Sequence, residues 1–259
     1  MYKLIAMDFD GTLLTDNKTV LSKTKEKLLE LKEEGYYIVG VTARTLESAK
    51  NVVPIEIFNY LILNNGAYQY DVLNQIGKNI GTIQKEEASQ IIKLIEDKSM
   101  QIDLVSGTVY YIYKNKKNSS LPFIIDIDSL DNIDDEITKM NIFLENQENI
   151  DYLYNLICTK FPNLNTKIMQ ASDSIKKWLI VNPFGIDKST TLENLGKDLD
   201  ITLDEMIFFG DGLNDLEVMK NVGCSVAMGN ALDAIKESAD YITDTNNENG
   251  IVKFLNKHL

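Results

Sequence analysis

Lys3-Leu4-Ile5-Ala6-Met7-Asp8-Phe9-Asp10-Gly11-Thr12-Leu13-Leu14 sets a short apolar run against two aspartates and a turn. Lys3 to Phe9 reads as a β-strand, and Gly11-Thr12 marks the turn that ends it. Downstream, Ser22 to Glu34 places Leu28, Leu29 and Leu31 on one side and stops at Gly35, which predicts an amphipathic helix. Tyr36 to Val41 predicts a second strand and Thr45 to Val53 a second helix, ended near Pro54. Leu61 to Leu63 predicts a third strand, closed by Asn64-Asn65-Gly66. The order β-α-β-α-β is that of a parallel sheet with helices on its faces.

The pattern then changes. Tyr68 to Ile83 predicts one or two hairpins with Gly77 and Gly81 as turn residues. A helix is predicted over 85–98, and strands over 100–105, 109–113, 137–144, 164–170 and 175–181, with a helix over 149–160 among them. Successive strands with few crossover helices predict an antiparallel α+β insert. After Pro183 the alternation returns: helix 188–199, strand 206–209, helix 213–221, strand 224–227, helix 231–238, strand 241–242 and helix 248–258. The chain therefore reads as one α/β core, residues 1–81 and 185–259, interrupted by an α+β domain over 82–184.

Composition narrows the chemistry. The net charge is −13, which argues against nucleic acid as a partner, and the richest basic run, Lys114-Asn115-Lys116-Lys117, reads as a solvated loop. An acidic protein that handles an anion needs a local cation, a metal or a placed Lys or Arg. No apolar run is long enough for a membrane span, and the N-terminus lacks a signal-peptide core, so a cytoplasmic location is expected. The only histidine is His258, which removes His-dependent triads and His-ligated zinc. Cys158 and Cys224 have no CxxC partner and no arginine six residues on, so they read as buried small hydrophobes. There is no P-loop motif. Carboxylates, hydroxyls and lysines remain.

Four clusters fall at predicted strand ends or helix starts, where open α/β sheets keep their sites. Asp8 and Asp10, at i and i+2 of an extended segment, aim two carboxylates at one spot; such a pair can divide attack and protonation between them, or be an acidic turn. Thr42-Ala43-Arg44 closes the second strand. Thr42 offers a hydroxyl and an amide to a phosphoryl oxygen, or caps a helix. Arg44 is the only arginine against 25 lysines, a planar cation suited to a bidentate role or to a structural ion pair. Lys188, in Gly185-Ile186-Asp187-Lys188-Ser189, opposes a helix dipole in the first turn, which favours anion binding over stability; a mobile surface lysine is the other reading. Gly210-Asp211-Gly212-Leu213-Asn214-Asp215 supplies acidic groups that can complete a hard-cation site with Asp8, while Asn214 and Asp215 also suit helix capping.

Taken in this order, the clusters resemble the haloacid dehalogenase superfamily of phosphatases, specifically its Cof-type branch with a large inserted C2-type cap. Asp8 to Leu14 matches DxDGT[LV]L, Thr42-Ala43-Arg44 matches T-G-R, Gly185 to Lys188 matches G-[VI]-[DS]-K, and Gly210 to Asp215 matches GDxxND. Asn65-Gly66-Ala67 also fits the branch. Ala43 and Ser189 stand where glycine is usual, which bears on the geometry around the phosphate. The resemblance covers nearly the whole chain; within the insert it is one of length and layout. It implies a doubly wound, Rossmann-like parallel sheet with an α+β cap. It implies that Asp8 is the nucleophile, forming an aspartyl-phosphate, and that Asp10 is the acid/base. It implies Mg²⁺ held by the Asp8 carboxylate, the Asp10 backbone carbonyl and Asp211, with Asp215 and Asn214 supporting. Thr42 and Lys188 are implied phosphoryl-oxygen ligands, with Ala43 and Arg44 beside them. The expected partner is a small phosphorylated metabolite such as a sugar phosphate, turned over by a monomer or homodimer.

Three other readings share these residues. A phosphomutase would form the same aspartyl-phosphate and pass the group to another hydroxyl. A receiver-type signalling domain would keep it, but needs an open face. A phospholigand sensor would have no use for an acid/base pair.

Overall fold

The computed structural model describes residues 1–95, 100–114, 124–134, 136–144, 147–170 and 176–259. Residues 115–117 of the basic run, 96–98 of the helix predicted over 85–98 and Ile175 of the predicted strand lie outside the described residues. The chain divides into two compact units, Met1–Gly77 with Asp187–Leu259, and Lys78–Ile186.

The first unit begins with β1 (Leu4–Met7), α1 (Ser22–Glu33), β2 (Tyr37–Val41), α2 (Leu46–Lys50), β3 (Tyr60–Leu63), β4 (Tyr68–Asp71) and β5 (Ile76–Asn79), whose last residues enter the second unit. In the second unit follow α3 (Lys85–Ile95), β6 (Met100–Ser106), β7 (Val109–Tyr113), β8 (Ile124–Ile127), β9 (Ile137–Leu144), α4 (Ile150–Lys160), β10 (Leu164–Gln170) and β11 (Lys177–Pro183). The chain then completes the first unit with α5 (Lys188–Asp198), β12 (Met206–Gly210), α6 (Leu216–Asn221), β13 (Cys224–Ala227), α7 (Asp233–Lys236), β14 (Tyr241–Ile242) and α8 (Gly250–His258).

The sheet of the first unit runs β14-β13-β12-β1-β2-β3-β4-β5, parallel from β14 to β3 and antiparallel between β3 and β4. All four residues of β1 are buried, as a central parallel strand covered on both faces requires. Strand alternation sends Ile5, Met7, Ile207 and Phe209 toward α1 and α8, where Leu28, Leu31, Ile251 and Phe254 meet them. Leu4, Ala6, Met206 and Phe208 face the other way, toward Leu192, Leu195, Val218 and Met219 of α5 and α6. Each fully buried side chain of this kind contributes about 1.5–3 kcal/mol. Two apolar layers on one parallel sheet make the unit doubly wound. The strand order reverses direction at β1, between β12 and β2, and this places the topological switch point there.

The second unit holds a sheet of order β10-β11-β9-β6-β7-β8, antiparallel except for β7 with β8. Ile91, Ile92 and Ile95 of α3 and Leu153 and Ile157 of α4 pack on one of its faces against Leu104, Met140, Ile142 and Leu179. Tyr111 belongs to that core, whereas Tyr110 turns its hydroxyl to Asp103 at 2.9 Å.

Local structure departs from the sequence reading in identifiable places. Gly77 is not a turn residue but lies inside β5, where the Tyr68 hydroxyl occupies the space a Cβ would need. The turn is Val72 to Gln75, closed by the Asp71 carboxylate accepting from the Asn74 amide at 2.9 Å, with Gln75 left-handed at φ 56°. The helix predicted over 213–221 splits into a 3₁₀ turn, Leu213–Asp215, and α6, because the Asp215 side chain binds the preceding loop. Thr45, predicted as the first residue of α2, is its N-cap, accepting from the Ser48 amide. Strand β8 was not foreseen. Cys224 is buried as expected, Cys158 is partly exposed, and both are free thiols. His258 stacks on Phe254 with ring centroids 4.2 Å apart. Among the described residues, no helix is long and apolar enough to cross a membrane.

Candidate active site

The carboxyl end of β1 delivers Asp8. Its amide donates to the Phe209 carbonyl at 3.0 Å, which locks the first loop residue to the neighbouring strand β12. Asp8 is 6% exposed, and its Oδ1 accepts from Lys188 Nζ at 2.5 Å. Lys188 is the first residue of α5. Asp187 caps that helix, accepting from the Thr190 amide at 2.9 Å while Thr190 Oγ1 accepts from the Asp187 amide at 3.0 Å. With the cap supplied by its neighbour, Lys188 turns inward at 2% exposure and donates a second bond to Asp215 Oδ1 at 2.7 Å. It is a buried cation between two carboxylates, not a mobile surface lysine.

Asp215 is fully buried. Its Oδ2 accepts from the amides of Asp211 and Gly212, both at 3.2 Å, and so shapes the loop that presents Asp211. Asp211 accepts from Thr12 Oγ1 at 3.1 Å. Gly11, at φ +82°, passes so close that a Cβ there would stand 2.2 Å from Asp211 Oδ2. Asn230 Nδ2 holds the Gly11 carbonyl at 2.7 Å. Asp8, Asp211 and Asp215 each offer one carboxylate oxygen, and these oxygens lie within 4.8 Å of one another.

The electrostatics of the cluster are those of crowded carboxylates. Burial pushes the Asp8 carboxyl up; the Lys188 ammonium opposes this, and the charges of Asp215 and Asp211 add to it. Burial, together with Asp215, pushes Asp211 up to about 6. Burial lowers the Lys188 ammonium, but the Asp215 and Asp8 carboxylates outweigh it and hold the proton on the nitrogen. When all three carboxylates are ionised, the one ammonium leaves two negative charges uncompensated. An all-oxygen donor set with that residual charge fits a divalent hard cation such as Mg²⁺.

Asp10 is engaged elsewhere. Its Oδ2 accepts from Arg44 Nε at 2.7 Å, and its Oδ1 from Arg44 Nη2 and Lys18 Nζ, both at 2.8 Å. Burial pushes this carboxyl up, but the hydrogen bonds and charges of Arg44 and Lys18 prevail and hold it at about 2. Instead of sharing one target, the Asp8 and Asp10 side chains are divided between two cationic groups, and the third carboxylate of the cluster is Asp215. Arg44 thus meets Asp10, with Ser48 Oγ accepting from its Nη1 at 3.1 Å.

Thr42 is buried at the end of β2. Its amide donates to the Ile62 carbonyl at 2.8 Å, and its Oγ1 accepts from the Arg44 amide at 3.2 Å. Ala43 is half-buried between them. Asn214 is half-buried, with Oδ1 against Gly212. The sequence reading missed Lys18, Thr12 and Asn230. Thr12 belongs to the quoted motif and could have been found there. Lys18 and Asn230 carry no local signal, since their partners are set by the tertiary fold.

The profile of the haloacid dehalogenase-like hydrolases matches residues 5–255. The 5-amino-6-(5-phospho-D-ribitylamino)uracil phosphatase YcsE of Bacillus subtilis (strain 168) is 30% identical over 258 residues, covering 97% of this chain and 93% of its own. A second phosphatase of the same description and organism, YitU, is 26% identical, covering 98% of this chain and 97% of its own. The crystal structure of a haloacid dehalogenase-like hydrolase from Bacteroides thetaiotaomicron superposes with a TM-score of 0.84 at 25% identity over the full length of both chains.

Proposed function

The chain belongs to the haloacid dehalogenase-like hydrolase family, in its Cof-like branch, and we propose that it is a Mg²⁺-dependent phosphatase that hydrolyses a small phosphorylated metabolite through an aspartyl-phosphate. The observation that carries this reading is the buried Asp8 carboxylate at the switch point of the sheet, with one oxygen on Lys188 and two further carboxylates beside it.

In the first half-reaction an Asp8 oxygen attacks phosphorus, and the bond from phosphorus to the leaving oxygen breaks as Asp10 gives that oxygen its proton. In the second, a water gives a proton to Asp10 and its oxygen bonds to phosphorus, releasing Asp8 and inorganic phosphate. Lys188 and the Thr42 hydroxyl hold phosphoryl oxygens. Asp8 and Asp211 would hold the metal, with Asp215 ordering the Asp211 loop; bound Mg²⁺ supplies charge neutralisation for the phosphoryl group. Asn214 and Ala43 line the approach.

The substrate class is a phosphorylated sugar or polyol. The resemblance to two phosphatases of a phosphoribityl compound supports it. Hydrolysis of p-nitrophenyl phosphate with Mg²⁺ tests the activity, and a panel of sugar and polyol phosphates tests the class. Asp8→Asn abolishes turnover while the protein stays folded by circular dichroism; near-normal turnover in that variant overturns the assignment of Asp8.

A further inference from the structure

The turn Asn64-Asn65-Gly66, which closes β3, has no part in the chemistry above, yet it carries features that stability alone does not explain. Asn64 and Asn65 are successive left-handed residues, at φ 54° and 58°, and both are buried. Left-handed backbone costs a residue with a Cβ free energy, and folds keep it chiefly where function uses it. Among the described residues, no donor meets the buried Asn65 Oδ1, which is a second cost.

Both sides of the turn are tied to elements of the site. On one side its amides hold the loop after β2: Asn65 donates to the Thr42 carbonyl at 3.1 Å and Asn64 to the Arg44 carbonyl at 3.0 Å. On the other side the Gly66 carbonyl accepts from Thr191 Oγ1 at 2.9 Å. Thr191 is fully buried on α5, three residues after Lys188 and so its neighbour on the helix. Gly66, at φ +106°, passes so close to the start of α5 that a Cβ there would stand 2.2 Å from the carbonyl oxygen of Asp187, the capping residue. The end of one strand and the first turn of a distant helix are thus braced against a single turn.

We propose that this turn is a strut that fixes the span between Thr42 and Lys188, with Asn65, Gly66 and Thr191 as positioning residues for the phosphoryl group. It rests on the reading of Thr42 and Lys188 as ligands of phosphoryl oxygens. Backbone hydrogen bonds on one side and backbone contact on the other leave the span little slack. Misplacement by about 1 Å costs on the order of 100-fold in rate.

Orthovanadate, which presents its oxygens to both ligands as the phosphoryl transition state does, is the probe. In the full chain with Mg²⁺, Thr191→Val keeps the shape of the side chain but strands the Gly66 carbonyl. Its Ki for vanadate rises about 10-fold and kcat/KM for p-nitrophenyl phosphate falls in step, a partial loss of the span. Thr191→Ser, which keeps the hydroxyl, restores both values. On a Thr42→Val background the effect of Thr191→Val shrinks, because one end of the span is already gone. Gly66→Ala moves the same quantities further wherever it folds. A Thr191→Val protein with a lowered Tm but the wild-type vanadate Ki overturns the strut, and so does a rise in Ki that Thr191→Ser fails to reverse. Asp8→Asn, run in parallel, separates the two levels: turnover surviving there sinks the phosphatase reading, whereas turnover lost there with an unmoved vanadate Ki in Thr191→Val sinks the strut alone.

Discussion

Lys188→Met puts the site's electrostatics to a quantitative test. The native ammonium is buried and bonded to Asp8 at 2.5 Å and Asp215 at 2.7 Å. Methionine nearly matches its volume but leaves both carboxylates, each buried, without their cation. Breaking a buried ion pair by removing one partner costs about 3–5 kcal/mol, chiefly through the charge left behind. The first unit has 150 residues, for which each kcal/mol moves Tm by about 2–4 °C. In EDTA at pH 7 the variant's first unit therefore melts roughly 6–20 °C below wild type by scanning calorimetry. Two controls fix the cause. Asp215→Asn on the Lys188→Met background removes one stranded charge and recovers part of the loss. Lowering the pH toward 5 also recovers part of it, because burial raises the folded pKa of the stranded Asp8 carboxyl above its unfolded value. Such groups take up protons in the folded state, and stability is lost as pH rises through that window. A variant melting within about 2 °C of wild type in EDTA, or one whose deficit grows on acidification, refutes the reasoning.

Two further outcomes follow from single positions. Gly11→Ala places a Cβ 2.2 Å from Asp211 Oδ2 at a backbone φ of +82°, so Asp211 must move; Mg²⁺ affinity by isothermal titration calorimetry falls on the order of 10-fold or more. Lys139 is buried in the second unit near Asp103, and burial lowers its ammonium to about 8, with Asp103 opposing. Lys139→Met stabilises the second unit at pH 7 by about 1–3 kcal/mol in urea titrations, since Asp103 keeps its bonds from Gln101 and Tyr110. The sign with pH is fixed: the unfolded lysine holds its proton further into the alkaline range than the folded one. Wild-type stability thus rises from about pH 8 toward about 10.5, and the variant's advantage closes over that range; an advantage that widens there contradicts the buried-charge reading.

Much of the first unit was legible because its signals are local. Apolar runs, glycine stops and a helix cap lie within a few residues of what they control, and β1, α1, β2 and β3 follow from them. The strand-end aspartates were visible for the same reason. Gly77 misled because what fixes it is the Tyr68 ring on the neighbouring strand. Residues 213–215 misled because the Asp215 carboxylate pulls the chain into a loop that helical periodicity does not record.

The sequence by itself determined the β-α alternation, the interruption by a different architecture, and an active-site vocabulary limited to carboxylates, hydroxyls and cations. Tertiary structure decided which of those groups meet. The strand order brings Thr12 to Asp211 across 199 positions and Lys188 to Asp8 across 180. It gave Arg44 to Asp10 where the sequence left a substrate phosphate equally open, and it added Lys18, tied in place by Asn246 and Asn247. The physical reason is range. Propensity and periodicity act over a few residues along the chain, whereas charges and hydrogen bonds act over a few ångströms in space, and only the order of strands in the sheet converts one into the other.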